Sequence, residues 1–532
     1  MIPEKPSDWK QVTVKAAMKK FAALALAPIL SLLSGCHSGL RNEQHTLPPT
    51  IPALQEWKAA DGDYKFTEHS RVVSNLRDAD ALQTTSRLFA DELRALTRTP
   101  VVRAVGTEAD LHAGDIFLSV GPVDRALGSE GYALQIGAHI AVTAPEETGV
   151  FYATRTLLQL LRQNRELPRG DARDWPRKPE RGLMVDDGRK FFTPAWLHDQ
   201  VRELAYFKLN TLHLHLSDNE GFRIESETHP EIVSAEHLSK KDVRELLALA
   251  AQYHVNVIPE IDMPGHMAAI LDVHTDLQIY DIDHDAALPS SKNYGYIDLA
   301  KPPSYALMQD LIKEYLPLFP GPYWHIGADE YIDDYAKFPQ LLAYAHEHYG
   351  ASANGKDTYL GFINWADAQV RAAGKTTRAW NDGIGGGAAV TVNADVLIDF
   401  WTDHGLTAQQ HVDNGHLIAN QSWDPTYYVL GTEYTPDLAW LYARWPLDEF
   451  QKHERLRADS DAKNLGSMLH VWSDNPNYET ETYVAGRIAQ PLRVLAQRMW
   501  GAPNPVRSYS QFEVMSRKIG SHPDVRPAAH QP

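Results

Sequence analysis

Between residues 182 and 472 the chain repeats one pattern: a short apolar run, polar residues where it ends, and then in several places a stretch with helical spacing. The apolar runs are 182–186, 211–217, 256–261, 323–327, 377–380, 396–401, 416–420 and 467–472. Helical periodicity fills gaps at 193–207, 239–254, 305–316 and 359–373. About eight strands alternating with helices predict an α/β fold, a (β/α)8 TIM barrel over 176–505, with its chemistry at the C-terminal strand ends. A doubly wound open sheet is the competing fold. No Gly-rich phosphate loop follows an early strand to support it.

Asp174-Trp175-Pro176-Arg177-Lys178-Pro179 marks the boundary ahead of the barrel. Residues 54–175 read as a smaller α+β domain, with a helix over 82–96, a strand over 115–120, a hairpin of 132–136 and 139–142 across Gly137, and a second helix over 148–161. No chemistry is visible there. Residues 506–532 are expected to be a C-terminal tail.

The single cysteine, Cys36, excludes an internal disulfide. It closes residues 1–36, which read as an export signal: Lys19-Lys20, an apolar run from Phe21 to Leu33, then Leu33-Ser34-Gly35-Cys36. The run is short for a membrane span of about 20 residues. Leu-Ser-Gly-Cys resembles the bacterial lipoprotein box, which implies lipidation at Cys36, a membrane partner through that anchor, and an envelope location, with His37 next to it favouring the outer membrane. A plain secretory signal with an incidental cysteine is the bland alternative. Residues before Met18 do not fit a signal, so Met18 is the expected start. Residues 37–53 are polar with repeated Pro and read as a tether.

A net charge of -18 argues against nucleic acid, which calls for clustered Lys and Arg. The 13 Trp and 23 Tyr suit a sugar binder, since flat rings cover the apolar faces of pyranoses. The strand ends carry Asp186-Asp187, Asp218, Asp262, Asp329-Glu330, Trp380-Asn381-Asp382, Trp401 and Trp472-Ser473-Asp474. Tyr323-Trp324-His325-Ile326-Gly327-Ala328 running into two adjacent carboxylates is the focus, because such a pair is costly unless the two pKa values separate or one is paired.

Five stretches carry a resemblance: Arg181 to Asp186, Leu209 to Asp218, Gly221 to Glu225, Val257 to His266 and His325 to Glu330. They look like the successive motifs of family 20 glycoside hydrolases, the β-N-acetylhexosaminidases, in that family's order. The resemblance covers about 181–500 and implies a glycan or amino-sugar oligosaccharide substrate, with no cofactor and no metal. It implies Glu330 as general acid and then base, and Asp329 as the group that orients the substrate's 2-acetamido group, whose oxygen attacks C1. Neighbouring side chains on a strand diverge, which would let the two acids take these different places. It further implies Asp218 and His266 as a supporting pair, Tyr427 or Tyr428 as donor to the acetamide oxygen, and Trp380, Trp401 and Trp472 as a box around the sugar. Arg181 is expected to clamp the 3- and 4-hydroxyls and Asp474 the 4- and 6-hydroxyls, although Glu is commoner at the latter place. The Tyr427 and Trp472-Ser473-Asp474 segments resemble a subgroup with members acting on glycan ends, so lacto-N-biosidase activity stays open. Two readings of other classes remain. One is a metal hydrolase using His213 and His215, which share a strand face. The other is a non-catalytic sugar-binding lipoprotein, which would have no need of Glu330.

Overall fold

The computed structural model describes residues 46–282 and 295–525. Cys36 and the expected export signal lie outside the described residues, as does the end of the chain beyond 525.

The first part is a mixed sheet. Its elements are β1 (Glu56–Lys65), β2 (Arg71–Asn75), α1 (Gln83–Thr97), β3 (Val102–Gly106), β4 (Ile116–Val120), β5 (Tyr132–Ile136), β6 (Ile140–Ala144), α2 (Glu147–Gln163) and β7 (Glu166–Asp174). The order is β1-β7-β5-β6-β4-β2-β3, antiparallel from β1 to β6 and parallel from β6 to β3. α2 is buried without a break from Gly149 to Leu161, the mark of a helix covered on every side. Even the expected tether ends in this packing. The Ile51 backbone N–H donates to Gln159 Oε1 at 2.8 Å, and Gln159 Nε2 returns a bond to the Ile51 carbonyl.

The second part runs β8 (Glu180–Asp186), α3 (Pro194–Tyr206), β9 (Thr211–His215), β10 (Ser217–Asp218), β11 (Gly221–Phe222), α4 (Lys240–Gln252), β12 (Asn256–Glu260), α5 (Ala268–Leu271), α6 (Pro302–Tyr315), β13 (Tyr323–His325), α7 (Pro339–Tyr349) and α8 (Gly355–Ala372). It continues with β14 (Thr376–Trp380), β15 (Leu397–Phe400), α9 (Ala408–Asp413), β16 (Ile418–Asn420), α10 (Trp423–Thr426), β17 (Tyr427–Val429), α11 (Leu438–Ala443), β18 (Gly466–Trp472), α12 (Glu481–Trp500) and α13 (Tyr509–Ile519). Helix starts are chemically marked: Ser239 with Asp242 and Asn354 with Asp357 form reciprocal caps on α4 and α8.

The strands pair in parallel in the order β16-β15-β14-β13-β12-β9-β8-β18-β17. The Leu465 N–H donates to the Ile418 carbonyl at 2.8 Å, which brings β16 back to the foot of β18 and closes the ring there. At the other end β17 is wedged in, paired with the last residues of β18. This is a TIM-barrel arrangement behind an α+β domain. β8 and β18 are buried at every position, as strands of such a ring must be.

The expected boundary at Asp174 is a weld. Asp174 Oδ1 accepts from Trp500 Nε1 at 2.7 Å and the Gln55 N–H at 3.0 Å, and its Oδ2 accepts from the Tyr132 hydroxyl at 2.6 Å and Lys208 Nζ at 2.8 Å. The expected tail also differs. Its α13 buries Phe512, Met515 and Ile519, and the Ile519 carbonyl accepts from Arg162.

Candidate active site

Where β13 ends, the backbone turns left-handed: φ is +70° at Gly327, +71° at Ala328 and +45° at Glu330. Such values at non-glycine residues cost about 1–3 kcal/mol each and persist only where the surroundings enforce them. Here four bonds do so. The Ala328 N–H donates to Asp262 Oδ1 at 3.2 Å, the Tyr359 hydroxyl donates to the Ala328 carbonyl, the Trp380 N–H donates to the Gly327 carbonyl at 2.9 Å, and the Glu330 N–H donates to Asp382 Oδ2 at 2.9 Å. A side chain at Gly327 would meet Asp262 Oδ1 at 1.7 Å. Asp329 and Glu330 therefore diverge because of this bend, and not through the alternation of a strand.

Asp329 is buried, and its Oδ1 has no hydrogen-bond partner among the described residues. Trp380, Trp401, Trp472 and Tyr427 gather at the same end of the barrel. Trp380 and Trp472 lie 6.0 Å apart at 50°, Tyr427 and Trp472 5.7 Å apart, and Trp401 and Tyr427 6.5 Å apart at 12°. Trp380 Nε1 donates to Glu260 at 2.8 Å and Trp401 Nε1 to Asp382 at 3.0 Å, so hydrogen bonds as well as packing fix these two rings. Tyr427 belongs to this group. Tyr428 points elsewhere and donates to Glu479 at 2.5 Å.

Arg181 is a correction. It lies at the start of β8, fully buried, and donates to Glu130 (2.9 and 3.1 Å) and to the carbonyls of Lys208 and Lys178. At about 3.3 Å per residue it sits roughly 17 Å from the strand end where the acids collect, so it cannot clamp a sugar there. The arginine at the right end is Arg189. It is held by Asp186 at 2.9 Å and Asp218 at 2.9 Å, and its guanidinium lies 5.3 Å from the Trp472 ring. A signal for it existed, because it follows the last residue of β8 by three positions. Asp474 stands exposed at the rim, in the field of Arg189.

A chain of charges leads to the acid pair. His215 Nε2 lies 2.8 Å from Asp218 Oδ2, His266 Nδ1 lies 3.2 Å from Asp218 Oδ1, and His266 Nε2 lies 3.5 Å from Glu330 and 3.6 Å from Asp329. Burial would raise the Asp218 carboxyl, but Arg189 and His266 hold it well below its usual range. Burial would discharge His266, yet Asp218 and Asp329 keep it a cation. Glu330 is held low by His266 against the effect of burial. Asp329 is raised by burial, partly offset by His266. Burial and the nearby Asp329 charge push Asp262 well above the ordinary carboxylate range and Asp382 to about 7.

Below this layer Glu260 Oε2 lies 2.9 Å from His213 and 2.8 Å from His215, so the shared strand face of the two histidines meets one carboxylate. Donor atoms of His213, Glu260 and His325 come close enough to hold a metal ion. The three already contact one another or a second carboxylate, with His325 Nδ1 3.3 Å from Glu260 and its Nε2 3.1 Å from Asp399. Burial lowers His213 to about 4 and keeps it neutral.

The arrangement combines two adjacent carboxyl groups, one of them with a buried and unpartnered oxygen, and an aromatic box. Comparison with known proteins agrees with it. Residues 47–175 match glycosyl hydrolase family 20 domain 2, and residues 179–503 match the family 20 catalytic domain. A lacto-N-biosidase of Bifidobacterium bifidum is 30% identical over 496 residues, 92% of this chain and 43% of that protein. The chain thus spans less than half the length of that relative. A beta-hexosaminidase of Vibrio furnissii is 27% identical over 80% of this chain and 72% of its own length. Among solved structures, a GH20 exo beta-N-acetylglucosaminidase from Vibrio harveyi superposes with a TM-score of 0.72 at 22% identity, over 89% of this chain and 76% of that one. The barrel, the preceding sheet and the sequence matches agree: the chain belongs to glycosyl hydrolase family 20.

Proposed function

We propose that the protein is a retaining exo-β-N-acetylhexosaminidase that removes terminal β-linked GlcNAc or GalNAc from glycans or chito-oligosaccharides by substrate-assisted catalysis. The observation that carries this reading is the unpartnered, buried Asp329 Oδ1 beside Glu330 and the tryptophan box. An acetamide N–H is the donor that oxygen lacks. With the N–H held there, the acetamide oxygen attacks C1 while the C1–O bond to the leaving group breaks and the Glu330 proton passes to the departing oxygen. Glu330 then takes a proton from water as it attacks C1 and the oxazolinium ring opens. In the free protein Asp329 is raised and Glu330 lowered, the reverse of what the first step needs. His266 lies between them, so a substrate that stabilises the Asp329 anion draws the imidazolium toward Asp329 and lets Glu330 hold a proton.

The test is leaving-group dependence. Glu330→Gln should cost roughly 10²–10⁴-fold on an oligosaccharide and far less on an activated aryl glycoside. Asp329→Asn should slow both alike. A simple glucoside cleaved as readily as its 2-acetamido counterpart would sink the reading.

A lacto-N-biosidase-type release of a disaccharide is the second reading, favoured by the B. bifidum relative that matches 92% of this chain. Aryl glycosides of GlcNAc, GalNAc and the disaccharide, assayed side by side, separate the two. Cleavage of the disaccharide glycoside alone selects the second. We also propose lipid anchoring at Cys36 in the cell envelope, on the sequence signal alone. A wild-type protein recovered wholly soluble, with a mature N-terminus elsewhere, removes that proposal.

A further inference from the structure

Beside Glu330 lies a cleft of about 320 Å³, at the small end of the range for ligand sites. It is bounded by Glu330 and Asp382, and none of the box tryptophans lines it. An acid that protonates a leaving oxygen stands between the sugar being released and the group it leaves. A cleft that shares Glu330 with the box but none of the box's rings is therefore on the leaving-group side.

Two polar groups face this cleft without a partner. Lys356 occupies the first turn of α8, where a cation opposes the helix dipole. Its ammonium lies 4.6 Å from the Tyr359 ring centroid and 5.3 Å from that of Tyr335. It makes no hydrogen bond or ion pair among the described residues. The Tyr335 hydroxyl is buried and also unpartnered. Buried polar groups without partners are few in folded proteins, and the Tyr335 hydroxyl beside a half-buried ammonium that has only ring contacts asks for a ligand with hydroxyls. The Tyr359 ring is fixed because its own hydroxyl is engaged by the Ala328 carbonyl. The opposite wall is glycine. At Gly383 a side chain would meet the Tyr359 hydroxyl at 2.1 Å, and at Gly386 nothing fills the space.

We propose that this cleft is the leaving-group subsite, and that Lys356 and Tyr335 hydrogen-bond the hydroxyls of an uncharged sugar residue there. The inference rests on Glu330 being the acid of the proposed function. Charge selects the uncharged sugar. With Glu330 protonated as the acid and Asp382 raised to about 7 by burial, Asp333 stands opposite the one ammonium, so the cleft offers no excess positive charge to hold an anionic leaving residue and suits an uncharged one. Burial lowers Lys356 from the usual ammonium range, with Asp382 and Asp333 opposing that shift.

The experiment reads a ratio: kcat/KM for a neutral chito-oligosaccharide over kcat/KM for the 4-nitrophenyl glycoside of the same terminal sugar. Lys356→Met should lower the ratio roughly 10-fold or more, and Tyr335→Phe, which keeps the ring, several-fold, in line with loss of a charged and a neutral hydrogen bond. An unchanged ratio, or equal loss on both substrates, would overturn the proposal. An oligosaccharide with a carboxylate on the leaving residue should be cleaved more slowly than its neutral counterpart, and faster cleavage would overturn the selection argued here. A wild type that cleaves neither glycoside removes the proposed function itself, a result separable from any change in the ratio.

Discussion

The two ends of the barrel hold the same residue types in opposite conditions. At the N-terminal end every buried cation meets carboxylates: Arg378 binds Glu180 at 2.6 and 2.9 Å and Asp399 at 2.8 and 2.6 Å, Lys208 binds Asp174, and Arg181 binds Glu130. At the C-terminal end Asp186, Asp218, Asp262, Asp329, Glu330 and Asp382 gather around Arg189 and His266, and Asp262 Oδ2 and Asp329 Oδ1 have no partner among the described residues. Burying charge costs several kcal/mol per ion unless it is paired. One end offsets that cost within the protein, and on the proposed function the other leaves part of it for a substrate to offset. Between these two clusters burial and charge are alike, and the difference lies in the unpartnered Asp262 Oδ2 and Asp329 Oδ1.

Three changes test the contrast. The largest effect should come from Arg181→Met, which strands Glu130 and should remove about 3–5 kcal/mol of stability in denaturant unfolding. The kcat/KM of the folded fraction should hardly move, and a selective loss of affinity would return Arg181 to the sugar site. Arg189→Lys should do the opposite. It keeps the charge but loses the fixed fork, so a 2-acetamido sugar analogue should bind about 1.5–3 kcal/mol more weakly while stability stays nearly constant. Equal affinity losses in both variants would erase the distinction between the ends.

Per pH unit the smallest effect is in pH dependence, and its sign differs between the ends. Asp382 is raised from 3.8 to about 7, so between those values the folded protein holds a proton that the unfolded chain has released. Its contribution makes stability fall as pH rises through that window, by at most about 1.4 kcal/mol per pH unit. At the other end burial is outweighed by Arg378, which holds Asp399 far below its usual value. That stability is present above the unfolded pKa and is lost as pH falls. Asp382→Asn should flatten the slope of thermal midpoint against pH between about 4 and 7, and an unaltered slope would mean the proton sits elsewhere in the cluster.

The barrel strands were legible because a ring of doubly covered strands is written as apolar runs, and the helices between them carry their own period. Much of the first sheet was not. β1 is exposed along most of its length, β7 (Glu166–Asp174) is polar with a proline and a glycine, and β3 shows Val102 and Val105 to solvent. Asp329, Glu330 and the tryptophans were legible as strand-end residues. Arg181 and Arg189 were confused because they flank one strand eight positions apart, and choosing between them requires knowing which end of β8 faces the acids. The bend at Ala328 and Glu330 left no mark except Gly327, since neither of those residues favours a left-handed backbone. Lys356 and Tyr335 lie on separate turns, and only the folded chain brings them together.

The Asp174 junction bears on how the molecule can be taken apart. Its two oxygens gather donors from residues 55, 132, 208 and 500, drawn from both ends of the described chain. A fragment trimmed to residues 179–503 would keep the candidate site residues and still strand the Lys208 ammonium beside Trp500 without its counter-ion. The smallest piece worth expressing therefore starts ahead of Ile51 and runs through Ile519. A cut at the edge of the catalytic domain passes through a keystone where the residue pattern suggests a boundary.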